Sequence, residues 1–165
     1  GRAAARHGRA AWHGCSPGHG CSARNERCGP ARSRADSRTG SCAGPRHGSP
    51  GTWITREMNA AYVQLHRRGL AHSFETWAGE ELVGGLYGVA LGRVFFGESM
   101  FTRRTDASKV AMARLVEECR LRGVPLIDCQ MPSPHLSSLG SRGLPRREFE
   151  QMLARLVADP APVWS

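Results

Sequence analysis

The first fifty residues contain no Leu, Ile, Val, Met, Phe or Tyr, and Trp12 is their one large apolar side chain. Gly, Ala, Arg, Ser, Cys, His and Pro make up almost all the rest. Such a segment cannot bury enough apolar surface to offset the entropy of ordering its backbone, so residues 1–40 are expected to be disordered. A high-GC reading frame translated out of register gives this same mixture, and that origin is preferred over an Arg-rich RNA-binding arm. No apolar run approaches the roughly 20 residues that span a bilayer, and no apolar signal-peptide core is present, so neither a membrane anchor nor a disulfide scaffold is expected. Cys15, Cys21, Cys28 and Cys42 lie near His7, His13 and His19. Their spacing is not that of a structural zinc site and nothing apolar surrounds them, so no metal is expected.

Charge divides the same way. Residues 1–50 hold nine Arg against Glu26 and Asp36, whereas the other 115 residues hold fourteen Lys and Arg against twelve acids. The high pI of 10.3 therefore belongs mainly to the polar segment, and the remainder is nearly neutral. Net charge alone does not argue for a nucleic-acid partner here.

Residues 41–165 have the composition of one folded domain. Thr55 is a candidate N-cap for a helix whose 3.6-residue period runs through Met58, Ala61, Tyr62, Leu65 and Leu70 and ends near Gly69. Strands are expected at 72–77, 81–90 and 94–101, with turns at Ala78-Gly79-Glu80 and at Gly92. Asp106 is placed as the cap of a helix reaching Arg122, with Val110, Ala113, Val116 and Cys119 on its apolar face. Gly123 stops that helix, and a strand is expected over 125–130. Leu136–Leu139 reads as a turn. Pro145 at the first helical position begins a last helix carrying Phe149, Met152, Leu153 and Leu156. Cys119 and Cys129 read as small buried side chains. Gly84, Gly85 and Gly88 lie inside a strand rather than before a helix, so they mark bulges or close backbone contacts and not a phosphate loop.

Two of the apolar runs carry polar groups in their interiors. Gly97-Glu98-Ser99-Met100-Phe101 and Leu126-Ile127-Asp128-Cys129-Gln130 each place a carboxylate where a buried strand is expected. Burying a carboxylate costs several kcal/mol unless it is paired, so these acids point to a site. The competing reading for Glu98 is a structural ion pair with Arg103 or Lys109.

Several motifs occur in one order: Gly51-Thr52-Trp53-Ile54-Thr55, Leu82-Val83-Gly84-Gly85-Leu86-Tyr87-Gly88-Val89, Phe96-Gly97-Glu98-Ser99-Met100-Phe101, Ala107-Ser108-Lys109, Leu126-Ile127-Asp128-Cys129-Gln130 and Ser138-Leu139-Gly140. From about Ser41 to Ser165 this series resembles the C-terminal catalytic domain of bacterial leucyl/phenylalanyl-tRNA–protein transferases. The resemblance implies an α+β, GNAT-like fold with a mixed, mainly antiparallel sheet and flanking helices. It also implies a cytoplasmic aminoacyltransferase, expected to be a monomer, that uses Leu-tRNA or Phe-tRNA as substrate and needs no cofactor. Leu or Phe would pass to the α-amine of acceptor proteins beginning with Arg or Lys, marking them for degradation.

The resemblance further assigns roles. Asp128 would orient Gln130, and Gln130 would hold the attacking amine; the proton leaves either with their help or through the tRNA's own 2′-hydroxyl. Glu98 would receive the basic residue of the acceptor. Met100, Leu86 and Phe95 would line the aminoacyl pocket, though residues of this kind are more often plain core. Trp53 and Tyr62 would face the terminal adenine, against the alternative that they pack the first helix. The family's N-terminal domain, rich in Trp, Phe and Pro, has no counterpart in residues 1–40. Two other readings stand beside this one: a GNAT-type acyltransferase with another donor, and an inactive remnant without its tRNA surface. The segment 101–109 contains no glycine, which weighs against coenzyme A, because its pyrophosphate needs close backbone approach.

Overall fold

A computed structural model describes the backbone of residues 9–13 and residues 55–164. Five pairings join six strands into one sheet in the order β2-β3-β4-β5-β1-β6, and all are antiparallel except β4–β5. The strands are β1 (Arg9–His13), β2 (Ala71–Ala78), β3 (Glu81–Leu91), β4 (Val94–Thr102), β5 (Leu126–Asp128) and β6 (Arg142–Leu144). The helices are α1 (Arg56–Arg67), α2 (Ala107–Leu121), α3 (Pro134–Ser138) and α4 (Arg146–Ala158). The composition of residues 1–40 predicts no strand, yet residues 9–13 run between β5 and β6 and pair with both. The rest of that segment, with Cys15, Cys21 and Cys28, lies outside the described residues, as does Cys42.

Two layers of helices cover the sheet. Leu86, Phe95 and Ile127 pack with Ala111, Met112 and Leu115 of α2 on one face. Val94 and Leu126 pack with Phe149 and Leu156 of α4 on the other, and Tyr87 meets Met58 and Tyr62 of α1 on that same side. Neighbours in sequence such as Leu86 and Tyr87 thus serve opposite faces, as the period of a strand requires.

Local chemistry accounts for most boundaries. Thr55 caps α1 by accepting from the backbone N–H of Met58 at 3.2 Å, and Gly69, at φ 73°, ends the run in a left-handed turn. Ser133 caps α3, its hydroxyl accepting from the N–H of Leu136 at 3.1 Å. That short helix and β6 replace the expected turn. Pro145 occupies the cap of α4, one residue before the expected position.

Two expectations for α2 are corrected. Asp106 stands at the cap position but is left-handed, at φ 64°, and makes no side-chain cap. Its carboxylate instead pairs with Lys109 at 2.6 Å. The buried face is Ala107, Ser108, Ala111, Met112, Leu115, Val116 and Cys119, so the helix is rotated and Val110 is 41% exposed. The cause is the close approach at Gly84: a Cβ there would lie 2.5 Å from that of Ala107. Small residues at the start of α2 meet a strand glycine, and this contact fixes which side of the helix turns inward.

Trp164, not singled out from the sequence, returns the chain to the α2 face. It stacks on His72 at 4.8 Å and meets Phe74 and Phe95 at 6.3 and 5.6 Å. Arg122 covers its ring at 5.6 Å and donates to the Val163 carbonyl. Burial pushes the His72 imidazole down to about 4, with His66 and Arg122 adding to the fall and the Gly69 carbonyl opposing it.

Candidate active site

β4 enters the sheet beside β5 and leaves it beside β3 alone. The parallel ladder runs only through Val94↔Leu126, Phe95↔Ile127 and Phe96↔Asp128. Past Phe96, β4 continues along β3 to Thr102, while β5 stops at Asp128. The candidate residues gather where the two strands part.

Glu98 owes its place to a bulge. Gly88 opposes Gly97 and Tyr87 opposes Ser99, which leaves Glu98 as the extra residue on β4. The extra residue also reverses the alternation of the strand. Phe95 and Met100 both reach the α2 face although five residues apart, and Phe96 and Phe101 both reach the other. Gly88 makes the bulge possible, since a Cβ there would lie 2.2 Å from the Phe96 carbonyl oxygen and 2.5 Å from the Phe95 ring.

Burial first, then hydrogen bonding with Glu98 and its charge, push the Tyr62 phenol of α1 up to about 12. The ring of Tyr62 meets that of Tyr87 edge-on at 5.0 Å. Neither cation expected to neutralise Glu98 pairs with it among the described residues. Lys109 is held by Asp106, and Arg103 lies over the Phe101 ring at 5.6 Å while donating to the Leu82 carbonyl.

Across the parting stands Asp128, a single per cent exposed. Its Oδ1 accepts the backbone N–H of Gln130 at 2.8 Å. Here the expected strand over 125–130 is corrected: it ends at Asp128, and Gln130 is left-handed at φ 61°. The N–H of Met131 donates to the Cys129 carbonyl at 2.7 Å, closing a three-residue turn centred on Gln130. An L-residue in this conformation carries about 1–2 kcal/mol of strain, which persists only where its surroundings hold it. The buried Asp128 carboxylate is that hold. Its bond reaches the Gln130 backbone, not a side chain two residues along a strand face. Burial pushes the Cys129 thiol up to about 11, and the Asp128 charge adds to the rise, so Cys129 sits between them as a protonated, weakly reactive group.

The other expected residues divide. Met100 is half-buried at the edge of the α2-face core, whereas Leu86 is buried and Phe95 is 0% exposed. Met100 and Leu86 stand opposite each other across β4 and β3. Phe95 lies behind them against Phe74 and Trp164. Trp53 lies outside the described residues. No group of three or more metal-ligating side chains occurs among the described residues, and none of their helices is long and apolar enough to cross a membrane.

The start of α2 disfavours a phosphate. The N–H groups of Arg103 and Arg104 both donate to the Val83 carbonyl, at 2.7 and 3.3 Å, and that of Ala107 donates to Arg104. These three donors are committed, and the Asp106 carboxylate stands at the same end, which disfavours an anion there.

A mainly antiparallel sheet with one parallel crossover through α2, flanked by helices and parted beside a bulged strand, is an α+β architecture. Within that class, a family model described as leucyl/phenylalanyl-tRNA protein transferase matches residues 36–154, and the chain belongs to that family. A leucyl/phenylalanyl-tRNA–protein transferase of Leptothrix cholodnii is 61% identical over 118 residues, 72% of this chain and 46% of the relative. One from Bordetella petrii is 55% identical over 129 residues, 78% of this chain and 51% of the relative. A third, from Stutzerimonas stutzeri, is 57% identical over 120 residues, covering 73% and 53%. The chain thus spans about half the length of these curated relatives.

Proposed function

We propose that this domain transfers Leu or Phe from aminoacyl-tRNA to the α-amine of proteins beginning with Arg or Lys. The observation that carries the reading is the strained turn at Gln130, held by a buried carboxylate where β4 and β5 part. Strain of this kind is maintained where it serves a site.

In this reading the acceptor amine, neutral at the moment of attack, hydrogen-bonds to the Gln130 side-chain oxygen. The amine nitrogen bonds to the ester carbonyl carbon, the bond to the ribose oxygen breaks, and the amine proton ends on that oxygen. Asp128 keeps Gln130 in place and adds negative potential that favours the developing ammonium. Glu98, which neither Lys109 nor Arg103 neutralises, attracts the guanidinium or ammonium of the acceptor's first side chain. Met100 forms the accessible wall of the aminoacyl pocket, with Leu86 and Phe95 supporting it from the core. Trp53 and Tyr62 present aromatic faces to the terminal adenine, a contact worth about 1–3 kcal/mol. Against coenzyme A as the donor stand the committed N–H groups before α2.

The test uses a chimera in which residues 36–154 replace the matching segment of the Leptothrix relative. Labelled Leu is followed from Leu-tRNA to an Arg-beginning peptide. Asp128→Asn and Gln130→Ala should each lower transfer by roughly 100-fold. Because the two act as one unit, the double change should be little worse than the worse single change. Near-normal transfer by either single variant at saturating substrate removes the assignment.

A further inference from the structure

β4 loses one of its neighbours partway along. Phe96↔Asp128 is the last pair of the parallel ladder, yet β4 runs on to Thr102 beside β3. The register fixes where its backbone groups point beyond that pair. In an antiparallel ladder, opposed residues alternate between those that bond each other and those that turn their N–H and C=O outward. Thr102 stands opposite Gly84, while the N–H of the next residue, Arg103, donates to the Val83 carbonyl at 2.7 Å. Thr102 is therefore of the outward kind, and so is Met100, two residues back and opposite Leu86. Counting from the turn at Gly92 agrees. Leu91 and Val94 close that turn as a bonded pair, and with Glu98 as the extra residue the bonded phase returns at Tyr87 and Ser99. Among the described residues, no hydrogen bond is made to the outward N–H and C=O groups of Met100 and Thr102. An open edge of this kind is a template for a further strand. It begins just past Glu98, and the left-handed turn at Gln130 follows the point where β5 stops.

We propose that the open edge of β4 at Met100 and Thr102 binds the main chain of the acceptor protein, which adds to the sheet as a strand parallel to β4 in the line that β5 leaves at Asp128. This rests on the reading of Gln130 and Glu98 as the acceptor site, and that reading sets the direction. With the α-amine at Gln130 and the first side chain at Glu98, the rest of the acceptor runs toward Thr102. A strand held through its backbone is held without regard to its side chains, so one site admits many proteins that share only their first residue. It also requires that their opening residues be extended, with no proline where an N–H is bonded.

Calorimetric titration of the full 165-residue chain with short Arg-beginning peptides tests this. A single N-methyl group, moved residue by residue along the peptide beyond its first position, removes one N–H at a time. Only alternate N–H groups of an added strand face β4, so binding should fall about tenfold at every second position and little between. On the protein side, Thr102→Pro deletes an N–H that β3 does not use, a change that edge strands tolerate. It should bind the unmethylated peptide about tenfold more weakly than Thr102→Val, which lacks the same hydroxyl but keeps the N–H. A flat methyl scan, or a uniform loss without alternation, overturns the added strand; if Thr102→Pro does not fold, the scan on the wild type decides alone. Peptides beginning with citrulline, which has the shape of Arg without its charge, keep the two readings apart. If Arg is preferred, Glu98→Gln abolishes the preference and the scan is flat, the acceptor site stands and the strand falls. If Arg is not preferred, or no Arg-beginning peptide binds, the acceptor reading falls and takes the strand with it.

Discussion

Replacing Gln130 by glycine separates its backbone from its amide. The residue is held at φ 61° by the Asp128 carboxylate and by the turn from Cys129 to Met131. Glycine enters this region without the Cβ clash that costs other residues about 1–2 kcal/mol. It also loses more freedom on folding, by roughly 0.5–1 kcal/mol. The net is a stabilisation of about 0.5–1 kcal/mol, or about 2–4 °C in Tm for a domain of this size. Gln130→Ala keeps the Cβ, and with it the strain, so its Tm should stay near that of the wild type. Both variants lose the amide and should lose transfer alike. Thermal unfolding followed by circular dichroism supplies the first readout, and labelled Leu transfer by the chimera supplies the second. A glycine variant that melts below the wild type would refute the claim of strain. A more stable variant that still transfers at the normal rate would instead strip Gln130 of its chemical role while leaving the strain argument intact.

Two further expectations concern stability. The folded-state pKa of His72 lies at about 4, below its unfolded value near 6.5, so between those limits the unfolded chain binds more protons. Stability is therefore full above about pH 6.5 and falls as the pH drops toward 4; partial exposure limits the loss to roughly 1–2 kcal/mol. Urea unfolding at stepped pH should show this decline, and His72→Phe should flatten it; parallel profiles would remove His72 as the cause. Gly88→Ala should destabilise by about 2 kcal/mol or more, because its Cβ would meet the Phe96 carbonyl and the Phe95 ring. Chemical denaturation checks this, and a loss below about 0.5 kcal/mol would mean the bulge has slack to yield.

The parts legible in the sequence were those written in local chemistry. Thr55, Gly69, Gly92 and Gly123 announce their boundaries through cap and turn preferences, and the three strands of the meander arise from β-branched and aromatic runs between glycines. The carboxylates of Glu98 and Asp128 stood out because an apolar run rarely carries one. Other features depend on partners far away in sequence. The rotation of α2 is set by the contact between Gly84 and Ala107, which no periodicity count on the helix contains. Leu126–Asp128 and Arg142–Leu144 are three residues each, too short to show a period. Gln130 looked like the end of a strand because amide side chains carry no mark of a left-handed backbone. The bulge at Glu98 did leave a trace: Phe95 and Met100 cannot share a face of a regular strand, so two core residues five positions apart signal an insertion between them.

The sheet order also bears on when the site comes into being. Leu91 faces Val94 across the tight turn at Gly92, so β2, β3 and β4 assemble from contacts close in sequence. β5 has no such neighbour. Its partner on one side pairs Val94 with Leu126, across the whole of α2, and its partner on the other pairs Ala11 with Asp128, across most of the chain. Pairings this distant close late, since the loop must be ordered before the contact can reward it. On a ribosome the meander, with Glu98 and Tyr62 in place, can form before Asp128 has been synthesised. A chain arrested at that stage would display the feature proposed to recognise a cationic acceptor while lacking the carboxylate and the strained turn, so recognition would precede reactivity in the folding history of a single molecule.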